Sequence, residues 1–262
     1  MRILHVWNTA GVGSIIAKYM DRIYGTESWV VMRKSFDKFG FTIYGECWDC
    51  SAEMFALRCL LLSRKFDIVH IHAFDRFVPY LKLLYPSKPA ILHYHGTDIR
   101  NRWLLRQKYW SKADAILYST PDLLDDETPK NTIYVYIPNP VDTGMFHPYP
   151  ESKRKPNSAL AFDYYLDVNK AYSYAQRYGI SLEILERNIP YRELPKKLSE
   201  YEYYIDKTEI PSLSKTALEA LACGLKVIRW DGEIVDGLPE EHKPEKVVQK
   251  IWGIYQRLLE KT

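Results

Sequence analysis

Residues 212–230, SLSKTALEALACGLKVIRW, decide the fold. A short polar lead-in opens an amphipathic helix, Gly224 ends it, and LKVIRW continues as a buried strand. A helix that passes through glycine directly into a short apolar strand is half of a βαβ unit, the building block of a parallel sheet covered by helices. One residue stands out in that pattern. Glu219 places a carboxylate inside the amphipathic run.

The same alternation extends outward through the chain. MRILHVW, ESWVVMR, DIVHIHA, PAILHYH, DAILYST and IYVYIP are short runs rich in Val, Ile and aromatics, separated by helical segments such as SIIAKYMDRIYG and AEMFALRCLLLSRK. A second set, SALAFDY, SLEILER, YYID and LKVIRW, alternates with DVNKAYSYAQRYG, YRELPKKLSE and SKTALEALACG. Between the sets, IPNPVDTGMFHPYPESKRKPNS is proline-rich and without periodicity, so it reads as a linker. The expected fold class is α/β, with two Rossmann-like domains facing a cleft: residues 1–140, a linker at 141–157, and residues 158–262. Ligands of such folds bind at the carboxyl ends of the strands.

Composition narrows the function classes. With 262 residues and 47% hydrophobic content, the chain supports one large or two small cores. The net charge of +3, with its basic excess in the first half, is too small to mark a nucleic-acid binder, and no nucleic-acid module is recognisable. The opening MRILHVW is a strand and not a leader, and no apolar run reaches the roughly 20 residues that span a bilayer. The expected location is the cytoplasm, with peripheral membrane contact left open. Cys47 and Cys50 form an isolated CxxC that reads as structural or incidental, with a redox or metal role, or a local disulfide, as the alternatives.

Gly11 and Gly13 lead from the first strand into a helix, where small residues allow a ligand to approach the helix N-terminus or simply serve a tight turn. His70 and His72 share one face of a strand by the two-residue period, as do His93 and His95 on the next. No carboxylate accompanies them at a ligand-like spacing, so no metal is expected. His95 differs from the rest because Gly96, Thr97 and Asp98 follow it, which leaves its strand tip open. Asp98 either orients His95 or caps the helix running through Arg102.

Gly11 to Ser14, DIVHIHAFD (67–75), LHYHGTD (92–98), KADAILYSTPDL (112–123), IPNPVDTGMFHP (137–148) and LEALACGLKVI (218–228) together resemble the GT-B glycosyltransferases of glycosyltransferase family 4. The resemblance implies a hexosyltransferase-type enzyme that moves a sugar from a nucleotide-sugar donor to a glycan or lipid-linked acceptor. It further implies retention of anomeric configuration, no catalytic metal and no cofactor beyond the nucleotide-sugar substrate. The first domain then receives the acceptor and the second binds the donor. Glu219 matches the family's glutamate that grips the donor ribose; the alternative is a solvent-facing Glu on an amphipathic helix. Ser212, Ser214 and Lys215 would offer a helix N-terminus to the diphosphate. His95 and Asp98 would be catalytic.

The chain departs from the family at two points. The glutamate expected eight residues before Glu219 is replaced by Pro211, with Glu209 nearby as a substitute, and no Gly-Arg turn opens the second domain. Lys170 is the basic candidate there, beside Lys155, Lys207 and Lys215. These departures keep a second reading alive, a non-catalytic nucleotide- or glycan-binding module or subunit on the same fold; a nucleotide-sugar epimerase is the third. Residues 99–110, IRNRWLLRQKYW, interleave Arg100, Arg102, Arg106 and Lys108 with Trp103, Tyr109 and Trp110. Such a segment suits either a membrane surface or aromatics packed on the sheet with solvated arginines.

Overall fold

The computed structural model describes residues 1–126, 128–130, 132–149 and 154–260. It divides into two compact α/β units, one of Met1–Pro140 with Pro244–Thr262, the other of Val141–Lys243.

The first unit holds a parallel sheet of strands β1 (Arg2–Val6), β2 (Glu27–Arg33), β3 (Glu46–Trp48), β4 (Ile68–His72), β5 (Ala90–Tyr94), β6 (Ala115–Tyr118) and β7 (Tyr134–Tyr136). Their order across the sheet is β3-β2-β1-β4-β5-β6-β7. Its helices are α1 (Val12–Tyr24), α2 (Ala52–Ser63), α3 (Phe77–Leu84) and α4 (Trp103–Trp110). The two-residue period of the strands sorts the core into two layers. Leu4, Val69, Ile71, Leu92 and Tyr94 pack with Phe55, Phe77, Leu81, Trp103 and Trp110 of α2, α3 and α4. Ile3, Ile68, Ile91 and Leu117 pack on the opposite face with Ile15, Ile16 and Tyr19 of α1.

The second unit holds β8 (Lys155–Phe162), β9 (Ser181–Leu185), β10 (Tyr201–Ile205), β11 (Lys226–Ile228) and β12 (Ile234–Val235), ordered β12-β11-β10-β8-β9, with α5 (Val168–Arg177), α6 (Leu194–Leu198) and α7 (Lys215–Ala222). Only β12 runs antiparallel. The opening stretch folds as its pattern demands. Ser214 caps α7 by accepting from the Ala217 amide at 3.1 Å. Gly224 then takes φ +79°, and a Cβ there would sit 3.1 Å from Arg154 Nη2 and 3.3 Å from Pro148 Cγ, close enough that both neighbours would have to yield.

Two expected boundaries change. The helix α8 (Pro244–Leu259) belongs to the first unit, because its stripe of Val247, Val248, Ile251, Ile254 and Tyr255 completes the apolar layer over α1. The expected linker at 141–157 is largely part of the second unit. Phe146 is buried against Tyr191, and β8 begins at Lys155; residues 150–153 of that segment lie outside the described residues. The four cysteines are free thiols, which leaves the local disulfide unformed.

Candidate functional site

On the α1/α8 face of the first sheet, the apolar layer gives way to imidazoles toward the strand ends. His5 of β1 pairs in register with His70 of β4, and His72 pairs with His93 of β5. Their side chains, with that of His95 just past β5, all fall on one face. His5, His70, His72 and His93 are fully buried.

These rings form a continuous hydrogen-bonded chain. Tyr255 Oη lies 2.7 Å from His70 Nδ1, and His70 Nε2 lies 3.3 Å from His93 Nδ1. His93 Nε2 meets Ser119 Oγ at 3.0 Å, and the same hydroxyl meets His95 Nδ1 at 2.9 Å. His95 Nε2 then meets His72 Nδ1 at 3.1 Å, and His72 Nε2 meets His5 Nδ1 at 3.1 Å. A neutral imidazole donates through one nitrogen and accepts through the other, so one proton per link satisfies the whole run in a single sense. The chain ends at His5 Nε2, a buried nitrogen with no partner.

Burial keeps these rings neutral. It pulls His5 down to about 4 and His95 to about 3, and it holds His70, His72 and His93 well below the ordinary imidazole value. Two trios, His5/His70/His72 and His72/His93/His95, bring ligand nitrogens within 4.8 Å of one another. Neutral imidazoles are suitable donors for zinc or copper, but the separations between linked nitrogens are those of hydrogen bonds.

The tip residues are placed as follows. His95 has both ring nitrogens engaged, so its ring turns into the sheet and presents no uncommitted nitrogen to a ligand. Asp98 does not cap the helix through Arg102. Its carboxylate accepts from the amides of His95 at 2.9 Å and Gly96 at 2.6 Å, which fixes the turn after β5, while burial raises its pKa. Gly11 adopts φ +79° at the start of α1. A Cβ on Gly13 would lie 3.1 Å from Asn8 Oδ1 and 3.3 Å from His72 Nε2, so the space at this glycine is taken by the protein's own side chains. Trp7 (φ 74°) and Ala73 (φ 60°) leave β1 and β4 in left-handed conformations, a cost of order 1 kcal/mol each that concentrates strain at this end of the sheet.

Within residues 99–110 the two tryptophans pack in the core, while Leu104 and Leu105 stay exposed. Trp103 and Trp110 are buried, with their indole N–H groups donating to Leu123 O at 2.6 Å and Trp103 O at 2.7 Å. Arg106 Nε donates to buried Asp75 at 2.8 Å within a two-pronged ion pair, and Arg100 pairs with Asp122 at 2.6 Å. Neither tryptophan is available as an interfacial anchor.

In the second unit, Glu219 is 1% exposed, so it does not face solvent. Tyr191 donates to its Oε1 at 2.7 Å and Lys215 Nζ reaches the same oxygen at 2.5 Å, while Oε2 has no partner among the described residues. Burial, reinforced by the neighbouring Glu219 carboxylate, pushes the Tyr191 phenol well above its ordinary value. The N-terminus of α7 is partly committed. Asp206, buried at the carboxyl end of β10, accepts from the Ser214 amide at 2.8 Å through Oδ2 and leaves Oδ1 without a partner. Burial raises the Asp206 pKa. Ser212 is buried in its own turn, donating to Ile210 O at 2.8 Å, and Glu209 is exposed.

The strand order switches direction between β8 and β10, the place where open α/β sheets bind ligands. Tyr164 and Tyr165 follow β8 there, with ring centroids 4.4 Å apart, and Lys207 Nζ lies over both rings at 4.8 and 5.2 Å. Lys170 Nζ donates to Thr208 O at 3.1 Å, which ties α5 to the loop after β10. Sequence reading missed His5, Ser119, Tyr255, Asp206, Tyr191 and the tyrosine pair. His5 shares the parity of the other histidines and Asp206 ends a strand, so those two carried a signal; Tyr255 lies 185 residues from its partner and carried none.

No protein-family profile and no curated protein matches the chain. Solved structures do. Sucrose-phosphate synthase from Thermosynechococcus elongatus superposes with a TM-score of 0.54 at 11% identity, covering 99% of this chain and 92% of that one. The UDP-GlcNAc 2-epimerase from Methanocaldococcus jannaschii gives 0.53 at 10%, covering 97% and 100%. The N-terminal domain of trehalose-6-phosphate phosphatase from Candida albicans gives 0.52 at 11%, covering 99% and 92%. At such low identity the likeness speaks for architecture alone, and the chain shares with these proteins the two-unit Rossmann-like GT-B fold.

Proposed function

We propose that this protein is a glycosyltransferase that moves a hexose from a nucleotide-sugar donor to a glycan or lipid-linked acceptor with retention of configuration. The donor nucleotide would bind the second unit. The observation that supports this most is Glu219: a buried carboxylate with one oxygen held by Tyr191 and Lys215 and the other unpartnered. A buried carboxylate oxygen without a donor among the described residues is costly unless a ligand supplies one, and a ribose hydroxyl is such a donor. Lys170 and Lys207, at the switch between β8 and β10, would face the diphosphate. During transfer the bond from the sugar's anomeric carbon to the diphosphate breaks, the acceptor oxygen bonds to that carbon, and the acceptor proton leaves with the phosphate. The turn of His95 and Asp98 would position the acceptor, and the His95 ring could contact substrate by exchanging its link to Ser119 or His72.

Calorimetric titration with uridine, guanosine, adenosine and thymidine diphosphates tests the reading. One of them should bind, and Glu219→Gln should weaken it about tenfold or more by removing a charge-assisted hydrogen bond. Binding that the substitution leaves unchanged excludes Glu219 from the site. The engagement of both His95 nitrogens favours a second reading, a nucleotide-binding module without transfer. Nucleotide binding with no hydrolysis of any nucleotide sugar, and with no epimerised product, would select it.

A further inference from the structure

Helices α2, α3 and α4 lie side by side on one face of the first sheet and bury Phe55 and Cys59, Phe77 and Leu81, and Trp103 and Trp110 beneath them. Their outer sides are also apolar. Leu57 and Leu61 of α2, Tyr80, Leu83 and Leu84 of α3, and Leu104 and Leu105 of α4 are between 50% and 77% exposed. Isolated surface leucines need no explanation, but seven large apolar side chains exposed on three adjoining helices gather apolar surface on one side of the unit, and none of the described residues covers them.

The charge on these three segments is mostly positive. Arg58, Arg64, Lys65, Arg76, Arg102 and Lys108 are exposed on the same segments, and Glu53 is the single acidic residue in 51–65, 76–88 and 102–112. At the edge of this face a shallow recess is lined by Trp29 and Trp48 beside Leu61, Arg58, Arg64 and Lys65, with no carboxylate among the described lining residues. Indoles, leucines and cations in one place match the boundary between headgroups and acyl chains.

We infer that the outer face of α2, α3 and α4 docks on an anionic lipid bilayer, with the recess taking a lipid phosphate. A second copy of the chain is a poorer occupant, since a two-fold pairing would set this positive face against itself. The inference does not depend on the nucleotide reading.

Flotation of the full chain tests it, with vesicles of phosphatidylcholine alone or mixed with phosphatidylglycerol. The protein should float with the mixed vesicles at low salt, lose that association as salt rises, and ignore the neutral ones. Leu57→Gln with Leu83→Gln and Leu105→Gln should lower partitioning about tenfold or more, as should Arg58→Glu with Lys65→Glu. Unaltered thermal melting and an unaltered circular-dichroism spectrum would show that both variants stay folded. No association with anionic vesicles, or equal association by the variants, overturns the inference. So does a dimer by light scattering that the leucine variant converts to a monomer without any vesicle binding.

Discussion

Lowering the pH should unfold the first unit through its imidazole chain. In the folded protein His5 titrates near 4 and His95 near 3, whereas the unfolded chain binds those protons near the ordinary value of 6.5. Between about pH 6.5 and 4 the unfolded state therefore holds more protons, and stability rises with pH across that window and is complete above it. At about pH 4.5 each of the two rings costs about 2 pH units, or about 2.7 kcal/mol, so together they remove roughly 5 kcal/mol. That is comparable to the whole stability of a typical domain, about 5–15 kcal/mol. Buried Asp98 and Asp206 have raised values and act in the opposite direction, and the bonded carboxylates with lowered values lose stability below the histidine window. Urea unfolding followed by tryptophan fluorescence at steps from about pH 7.5 to 4.5 gives the slope. His5→Phe removes one titrating group, so its slope should be shallower by up to about 1.4 kcal/mol per pH unit, whatever its absolute stability. A wild-type stability that is flat from pH 7 to 5, or the same slope in His5→Phe, would refute the reasoning.

Arg106→Ala leaves Asp75 buried with Tyr94 as its remaining hydrogen-bond donor; loss of about 3–5 kcal/mol is expected, read as a drop in the denaturant midpoint. Tyr191→Phe removes one of two donors to Glu219 Oε1 and should cost about 1–2 kcal/mol in melting while also weakening nucleoside-diphosphate binding, so unchanged binding would separate Tyr191 from the site. Gly224→Ala forces a side chain into φ +79° beside Arg154 and Pro148, and a loss above about 1 kcal/mol in urea unfolding is expected.

The strands and most helices were legible because each had to bury one stripe or one face, and the period of apolar residues records that requirement locally. The fate of α8 was not. Its stripe of Val247, Val248, Ile251 and Ile254 says that the helix packs on something, but the same stripe would fit either sheet; only the complementary surface of α1, more than 220 residues earlier, decides. The tryptophans of residues 99–110 were ambiguous for a related reason. Trp103, Trp110 and Arg106 suit an interface as well as a core, and the buried Asp75 that claims Arg106 comes from another strand end. The surface that does remain apolar, from Leu57 to Leu105, is assembled from three helices, none of which looks unusual alone.

The site divides along the same line. Glu219 was legible through the resemblance and not through its own helix, where at about 100° per residue it points away from Ala217, Leu218 and Leu221 and reads as solvent-facing. The histidines were visible as pairs, yet their chemistry depends on neighbours in space. A His95 read from LHYHGTD has two ring nitrogens to offer; the folded His95 has given one to Ser119 of the next strand and one to His72 of the previous strand. Each link is worth about 1 kcal/mol net, but breaking one strands a buried polar atom at a larger cost. A substrate that recruits this ring must therefore supply a hydrogen bond at least as good as the one it displaces. Ser119→Ala separates the two possibilities: it removes the hydroxyl that His95 Nδ1 and His93 Nε2 share, and with it the link from His95 to the next strand. If substrate competes with that link, binding of a nucleotide sugar should tighten relative to the bare nucleoside diphosphate; if the link only orients the ring, both should bind as before while turnover falls.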